Sequence, residues 1–503
     1  MKKVSDTELF ESEDTDSMNI IYDTPDFLNK VLACVKSYGD IMRSAAENMQ
    51  GPRLFPGQIN VYTRKVPALT PDDPGMFADT RDNGGSKPHC CNLLFDLGAI
   101  DALDALSDVT GNANYSQTVT NYLSDLFSQC LYPGSDYIPW GEHVGYNIVT
   151  KGYDYTNFKG NTHEVKFYII PWERFWNVSK DVVINEIAAA FKNHIISEKD
   201  FRYNRHASME GTPNSEDTYP CSLATNGGLY MYSWAWLYKK TGDEKLLDWA
   251  DGMHAHYWNK REKSTGLFCT AEDRPYELWY IDVLDFAAFL MAAWNELKEE
   301  RGYFREHALA FVESYTKYAY NPEAKKFYDT LNTKTGEPVI GPSADYPEIS
   351  RAEFLEPWIN ADNSCQIGQI ACTCASMLNY TNDERLINLF DKAIEAIEIE
   401  KSVKESAPMY SGTVAGLIHT LSGVYKLTGK KDYLDKAALL VNHAMDALYH
   451  NGLFAAATSG EGGKYYFNRM GSADLANSFM AFWNACNNKE IPKIRNLSGL
   501  ATW

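Results

Sequence analysis

The stretch LYKKTGDEKLL (residues 237–247) decides how this chain is read. An apolar-periodic run ends in Thr-Gly, and a second run begins almost at once. Glycine supplies the left-handed backbone that closes a helix, so the stretch predicts two helices joined by a tight turn. LSDVTGNANY (106–115), LNYTNDERLI (378–387) and VYKLTGKKDYL (424–434) repeat the pattern, with Thr-Gly or Asn-Asp at the joint. Helices connected this closely run antiparallel, and hairpins repeated around a ring build an α/α toroid.

Outward from these joints, apolar residues at three- and four-residue spacing predict helices over 25–48, 93–106, 115–129, 181–196, 222–240, 244–258, 276–298, 304–318, 365–379, 384–400, 410–427, 431–449 and 473–486. An open solenoid has a fixed repeat, whereas these joints are unevenly separated and long aromatic-rich loops (133–175, 200–222, 330–360) intervene. The expected fold is therefore mainly α: an α/α toroid (barrel) of six to seven helical hairpins, with long loops lining a cleft. Residues 1–18, acidic and rich in Ser and Thr, read as a disordered tail, and 19–503 as a single barrel domain.

Composition narrows the function. Hydrophobic residues at 45% and aromatics at 13% of 503 residues supply a large core, which excludes global disorder. A net charge of -20 argues against nucleic-acid binding, which needs a basic surface, although a few focused Arg and Lys side chains can still receive an anionic substrate. The ten cysteines form no CxxC pair and read as buried thiols. The longest apolar run, 281–294, is too short for a bilayer and contains Asp282 and Asp285, so no membrane partner is expected. The N-terminus has no apolar signal core; the default expectation is the cytoplasm, with a periplasmic or secreted location if a signal has been trimmed.

Three loop segments carry the candidate chemistry: WGEHVGYN (140–147), NTHEVK (161–166) and YNRHAS (203–208). His143 and Glu164 are 21 residues apart, and Glu164 and His206 are 42 apart, with Arg205 directly before His206. In these positions the chain resembles polysaccharide lyase family 2, the exo-acting polygalacturonate (pectate) lyases. That family has an α/α barrel and a His, Glu, His metal site at this spacing, with an arginine before the second histidine. Its His-Glu-Leu-Lys signature reads His163-Glu164-Val165-Lys166 here, with valine in place of leucine. The resemblance covers residues 135–215 well.

It implies a metal held by His143, Glu164 and His206, manganese by family expectation, and a catalytic Arg205. Two imidazoles and a carboxylate are a borderline-hard set that leaves positions open; Zn, Co, Ni or Ca are the alternatives. The implied reaction is β-elimination on a uronate glycan, an acidic oligo- or polysaccharide, in which a cation at the carboxylate stabilises the charge that develops as the adjacent carbon loses its proton. Arg205 is the base of that resemblance, or, since guanidinium is normally charged, a stabiliser of the carboxylate. Lys166, two residues beyond Glu164, shares its face in an extended segment and is a candidate for a substrate carboxylate; a solvated lysine is the plainer reading. His163 points to the opposite face. Trp140 and Tyr146, with Tyr153, Tyr155, Tyr168, Trp172 and Trp176 nearby, either stack on sugar faces or pack the loops.

Other classes fit the same ring. An inverting glycoside hydrolase acting on unsaturated uronyl oligosaccharides needs two separated carboxyls, for which Asp82, Asp273, Asp282 and Asp285 are candidates. A sugar 2-epimerase needs a histidine pair; His254 and His256 are offered, although a two-residue separation on a helix divides them between faces. A non-catalytic carbohydrate-binding protein is the third alternative. Nucleotide-binding loops and the HExxH and GxSxG motifs are absent.

Overall fold

The computed structural model of the protein describes residues 24–76, 87–155, 162–216, 222–270, 276–279, 281–342, 350–358 and 367–497. Residues 1–18, expected as a disordered tail, lie outside them. In chain order the helices are α1 (Pro25–Glu47), α2 (Leu93–Thr110), α3 (Asn114–Gln129), α4 (Trp172–Trp176), α5 (Lys180–Ala189), α6 (Ala224–Thr241), α7 (Glu244–Lys260), α8 (Asp282–Leu297), α9 (Tyr303–Ala319), α10 (Ile367–Leu378), α11 (Glu384–Ile397), α12 (Ile399–Lys404), α13 (Ser411–Thr428), α14 (Lys431–Ala447) and α15 (Ser472–Cys486).

Burial sorts these helices into two layers. α6 is buried without interruption from Ala224 to Leu237, and every residue of α10 is buried, because both are covered on all sides. α11 buries only Leu386, Leu389, Phe390, Ala393, Ile394, Ala396 and Ile397, the single stripe of a helix with one face in water. The inner layer runs α2, α15, α13, α10, α8, α6 by successive packing, and α3, α14, α11, α9 and α7 each lie outside the inner partner they follow or precede in sequence; α1 covers α15 and α2. The fold is an α/α barrel, as expected.

The joints have the predicted chemistry. Gly111, Gly242 and Gly429 close α2, α6 and α13 at φ of 69°, 73° and 71°, each N–H returning to a carbonyl of the last turn. Asp243 then caps α7 by accepting from the Lys245 N–H at 3.1 Å, and Asp383 caps α11 in the same way. These short joints share one mouth of the ring. The long loops enter the N-terminal ends of the inner helices, at the other mouth.

Two features of the ring lie beyond the helical pattern. Between α2 and α6 the wall is completed by the segment 165–176. Asn226 Nδ2 on α6 donates to Val165 O (2.7 Å) and Trp172 Nε1 to Ser233 Oγ (3.0 Å), while on the other side Arg174 Nε reaches Asp104 on α2 (3.0 Å). The segment after α15 then turns back between the inner helices: His419 Nε2 lies 2.7 Å from Pro492 O, Asn379 Nδ2 donates to Ile494 O, and Arg495 pairs with Asp101 at 2.8 Å. It ends on the wall segment, with Ile169 N donating to Arg495 O (3.0 Å) and Leu497 N to Phe167 O (2.8 Å).

Candidate metal centre

Three segments at the long-loop mouth carry the predicted ligands, and backbone pairing draws them together. Val144–Asn147 is the middle strand of a small sheet, between Cys90–Cys91 and Gly152–Tyr155. Gly141 bridges Glu164, and Thr162–His163 pairs antiparallel with Ala207–Ser208. The cap of α2 anchors the first segment: Asn92 Nδ2 donates to Gly141 O (2.7 Å) and Val144 O (3.2 Å). Gly141 has φ of 94°, and a Cβ there would sit 1.9 Å from Glu164 O. Only glycine lets the His143 segment approach the Glu164 segment this closely.

The four expected positions converge. His143 Nε2 is 2.7 Å and His206 Nε2 3.2 Å from Glu164 Oε2, and ligand atoms of the three residues lie within 4.8 Å of one another. Separations near 3 Å are of the size spanned by two ligands that each stand about 2.1 Å from one ion. Neither Glu164 oxygen nor His206 Nε2 meets hydrogen-bond geometry with any neighbour, although all three atoms are buried. Buried lone pairs aimed at one point are what a divalent cation satisfies, so the residues present fit a metal.

Charge surrounds this point. Arg205 Nη1 is 3.3 Å and Lys166 Nζ 3.4 Å from Glu164 Oε1. Lys166 also pairs with Glu142 Oε2 at 2.8 Å, and Arg469 Nη2 lies 3.4 Å from Glu142 Oε1. Burial pushes the Glu164 carboxyl up, but Arg205, Lys166 and His206 outweigh it and hold the group well below the usual carboxylate range. Burial likewise raises Glu142, and the charges of Lys166, His143 and Arg469 bring it down to about 2. His206 is lowered by burial, against the pull of Glu164, which keeps an imidazole lone pair available for a metal.

Each predicted site residue has a definite place. His143, Glu164, His206 and Arg205 come together. Lys166 is a buried, paired cation inside the cluster rather than a solvated lysine. Trp140 and Tyr146 depart from the sugar-stacking expectation. Trp140 is 1% exposed, its ring packs against Trp172 and Phe175, and its indole N–H donates to Glu186 Oε1 at 2.7 Å. Tyr146 is buried edge-on to Tyr153. Both rings are buried against other loop and helix residues, the arrangement of the loop-packing alternative.

Of the competing sets, the histidine pair is divided and two of the four carboxylates share one helical turn. His254 contacts His307 (2.8 Å) and His256 contacts Asp200 O (2.6 Å), both on the outer helix α7, so they do not face one point. Asp282 and Asp285 are buried in the first turn of α8, where Thr373 Oγ1 donates to Asp285 at 3.0 Å. Asp82 and Asp273 lie outside the described residues.

Sequence reading passed over Glu142 and Arg469. Glu142 stood beside His143 in a quoted stretch, and its adjacency to a ligand was the available signal. Arg469 gives no local signal, since its contact with Glu142 spans 327 residues.

A buried His₂-Glu donor set at the loop mouth of an α/α ring is the setting of an enzyme acting on sugars, and the family comparison agrees. The model of the family described as periplasmic pectate lyase matches residues 92–272, a span containing all four positions, and this is the family that the spacing resembles. That description names the periplasm, so the cytoplasmic expectation is without support. No curated protein matches the chain. Among solved structures, an alpha-1,2-mannosidase from Trichoderma reesei shares the fold with a TM-score of 0.53 at 12% identity, covering 90% of this chain and 93% of that one. An unsaturated glucuronyl hydrolase specific for heparin (TM-score 0.46, 11% identity, 92% and 97% covered) and a D-mannose isomerase (0.46, 10%, 94% and 100%) also align. None of the described helices is long and apolar enough to cross a membrane.

Proposed function

We propose that the protein is a polysaccharide lyase that cleaves a pectate-like, uronate-containing glycan by β-elimination, with a divalent cation, manganese by family resemblance, at His143, Glu164 and His206. The observation that carries this reading is the convergence of the three ligands with Arg205 on the Glu164 carboxylate, inside the span that the family model matches. When bound, the ion supplies positive charge at the substrate carboxylate, which stabilises the negative charge that develops on the neighbouring carbon.

The chain's own residues supply the rest. Glu164 balances Arg205 in the free enzyme, so Arg205 would be left to face an incoming uronate if that carboxylate held an ion, while Lys166 stays paired with Glu142. Arg205, partly exposed, is the residue placed to meet the substrate and acts on its proton or its carboxylate. A base, Arg205 in its neutral form or water where Arg205 holds the carboxylate, takes the proton from the carbon next to the carboxylate; that C–H electron pair forms a carbon–carbon double bond, and the glycosidic oxygen departs from the next carbon and takes up a proton from solvent. Burial of Glu142, Lys166 and Arg469 around the ligands keeps bulk water from screening these charges. A periplasmic site of action follows the family description.

The test is near-ultraviolet absorbance of the protein with polygalacturonate, with added manganese and then a chelator. A chelator-sensitive rise marks the unsaturated product. Reducing ends released without that absorbance would point to the hydrolase reading, and no cleavage with sugar still bound to the binding-protein reading.

A further inference from the structure

Behind the metal ligands runs a line of buried side chains that the proposed reaction does not use. Glu186 on α5 places Oε1 2.6 Å from His163 Nε2; His163 Nδ1 is 3.0 Å from His194 Nε2; His194 Nδ1 is 2.8 Å from Asn204 O. Tyr230 Oη on α6 stands 2.9 Å from the same His194 nitrogen. The Glu186 carboxylate also accepts from Trp140 Nε1 and, at 3.1 Å, from Ile138 N. Glu186, His163 and His194 are all buried. His194 ends a π turn, Ala190–His194, that follows α5; this wider turn swings it inward where a continued α-helix would carry it onward.

The carbonyl at the Asn204 end fixes the direction of the two contacts that His194 makes along the line. A carbonyl only accepts, so His194 Nδ1 donates to Asn204 O and its Nε2 accepts from His163 Nδ1–H. His163 Nε2 lies 2.6 Å from the Glu186 carboxylate, beside the Trp140 indole nitrogen, which stands 3.3 Å from the same His163 atom and donates to Glu186. Two members of the line adjoin metal ligands. His163 directly precedes Glu164, and the Asn204 side chain accepts from the His206 N–H at 3.0 Å.

We propose that Glu186, His163 and His194 are positioning residues: a brace that sets the separation of Glu164 from His206, so that the metal site is preformed before the ion arrives. The inference rests on the metal reading of His143, Glu164 and His206. Groups behind metal ligands fix ligand orientation, and losing one lowers metal affinity by about 10–100-fold.

The test uses the full chain, freed of metal and titrated with Mn²⁺ alone, with unbound ion read by electron paramagnetic resonance and folding by circular dichroism. His194→Phe fills a similar volume without hydrogen bonds, and Glu186→Gln keeps the shape without the charge. The expected result is weaker Mn²⁺ binding, by about 10–100-fold in His194→Phe and by less in Glu186→Gln. Saturating Mn²⁺ should restore kcat in both, which general loss of packing would not allow. Unchanged Mn²⁺ affinity in both folded variants overturns the brace, as does a deficit that saturating Mn²⁺ leaves in place. If His194→Phe does not fold, Glu186→Gln decides alone. Wild-type protein that binds no Mn²⁺ would overturn the metal reading itself and the brace with it, whereas wild-type binding with unaltered variants overturns the brace only.

Discussion

The two mouths of the ring are made by the same inner helices and by opposite kinds of connection. At one mouth joints of two to five residues reverse the chain, three of them closed by Gly111, Gly242 and Gly429, with exposed caps such as Asp243. At the other, loops of up to several tens of residues hold two buried carboxylates, three cations and two imidazoles within a few contacts of one another. A short joint needs only local conformation, so it is cheap to specify and tolerant of change. The loop mouth needs residues from distant parts of the chain to stabilise one another's charges, so removing one member exposes the rest.

The sharpest way to break this contrast is Glu164→Gln, which removes the ligand shared by both histidines and the counter-charge of Arg205. Stoichiometric metal and lyase activity should both disappear, by elemental analysis and product absorbance; metal retained at the wild-type ratio would refute the ligand assignment. Arg205→Ala comes next. It should keep its metal and lose about 10²–10³-fold in kcat, the usual cost of one electrostatic stabiliser; full activity would remove Arg205 from the mechanism.

The glycines then set the mouths directly against each other. Gly141→Ala places a methyl group against Glu164 O as well as straining the backbone, and should weaken Mn²⁺ binding at least about tenfold, the lower range for displaced ligand support. Gly242→Ala meets nothing within 4 Å. It should cost only about 1–2 kcal/mol for a left-handed non-glycine residue, read as a modest fall in Tm, with metal content and kcat unchanged. Equal effects of the two substitutions would erase the distinction between the faces.

Between the mouths, Asp474 on α15 gives a smaller, pH-dependent effect. Burial raises its carboxyl from 3.8 to about 7, against hydrogen bonds from Tyr168 and Asn496. The folded state therefore holds a proton that the unfolded chain releases between those values, and stability falls as pH rises through that window. Asp474→Asn should be near neutral at pH 4 and increasingly stabilising toward pH 8 by thermal melts; a gain that is independent of pH would contradict the assignment.

Legibility followed the same division. The joints at 106–115, 237–247 and 424–434 could be read because glycine caps act within a few residues of the helices they end. The candidate set of His143, Glu164, Arg205 and His206 was legible because its spacing resembles a known family; composition alone would have left its histidines among eleven. The role of Trp140 stayed open between loop packing and sugar stacking, because an aromatic near a site looks the same in sequence whether it faces a sugar or a carboxylate of α5. The brace through His194 was hidden for a related reason: α5 was expected to continue to 196, and the π turn that aims His194 inward leaves no trace in apolar periodicity.

By itself the sequence determined the helices, their caps, the order of the hairpins and the four residues that meet at Glu164, since helix patterns and caps are local and a family spacing can be matched along one dimension. Only the tertiary structure decided that Arg469 reaches Glu142, that the segment 491–497 returns between the inner helices to hold Phe167 and Ile169, and that His163 is braced from α5. Those contacts join residues far apart in the chain, and ring closure, not local preference, brings them within reach.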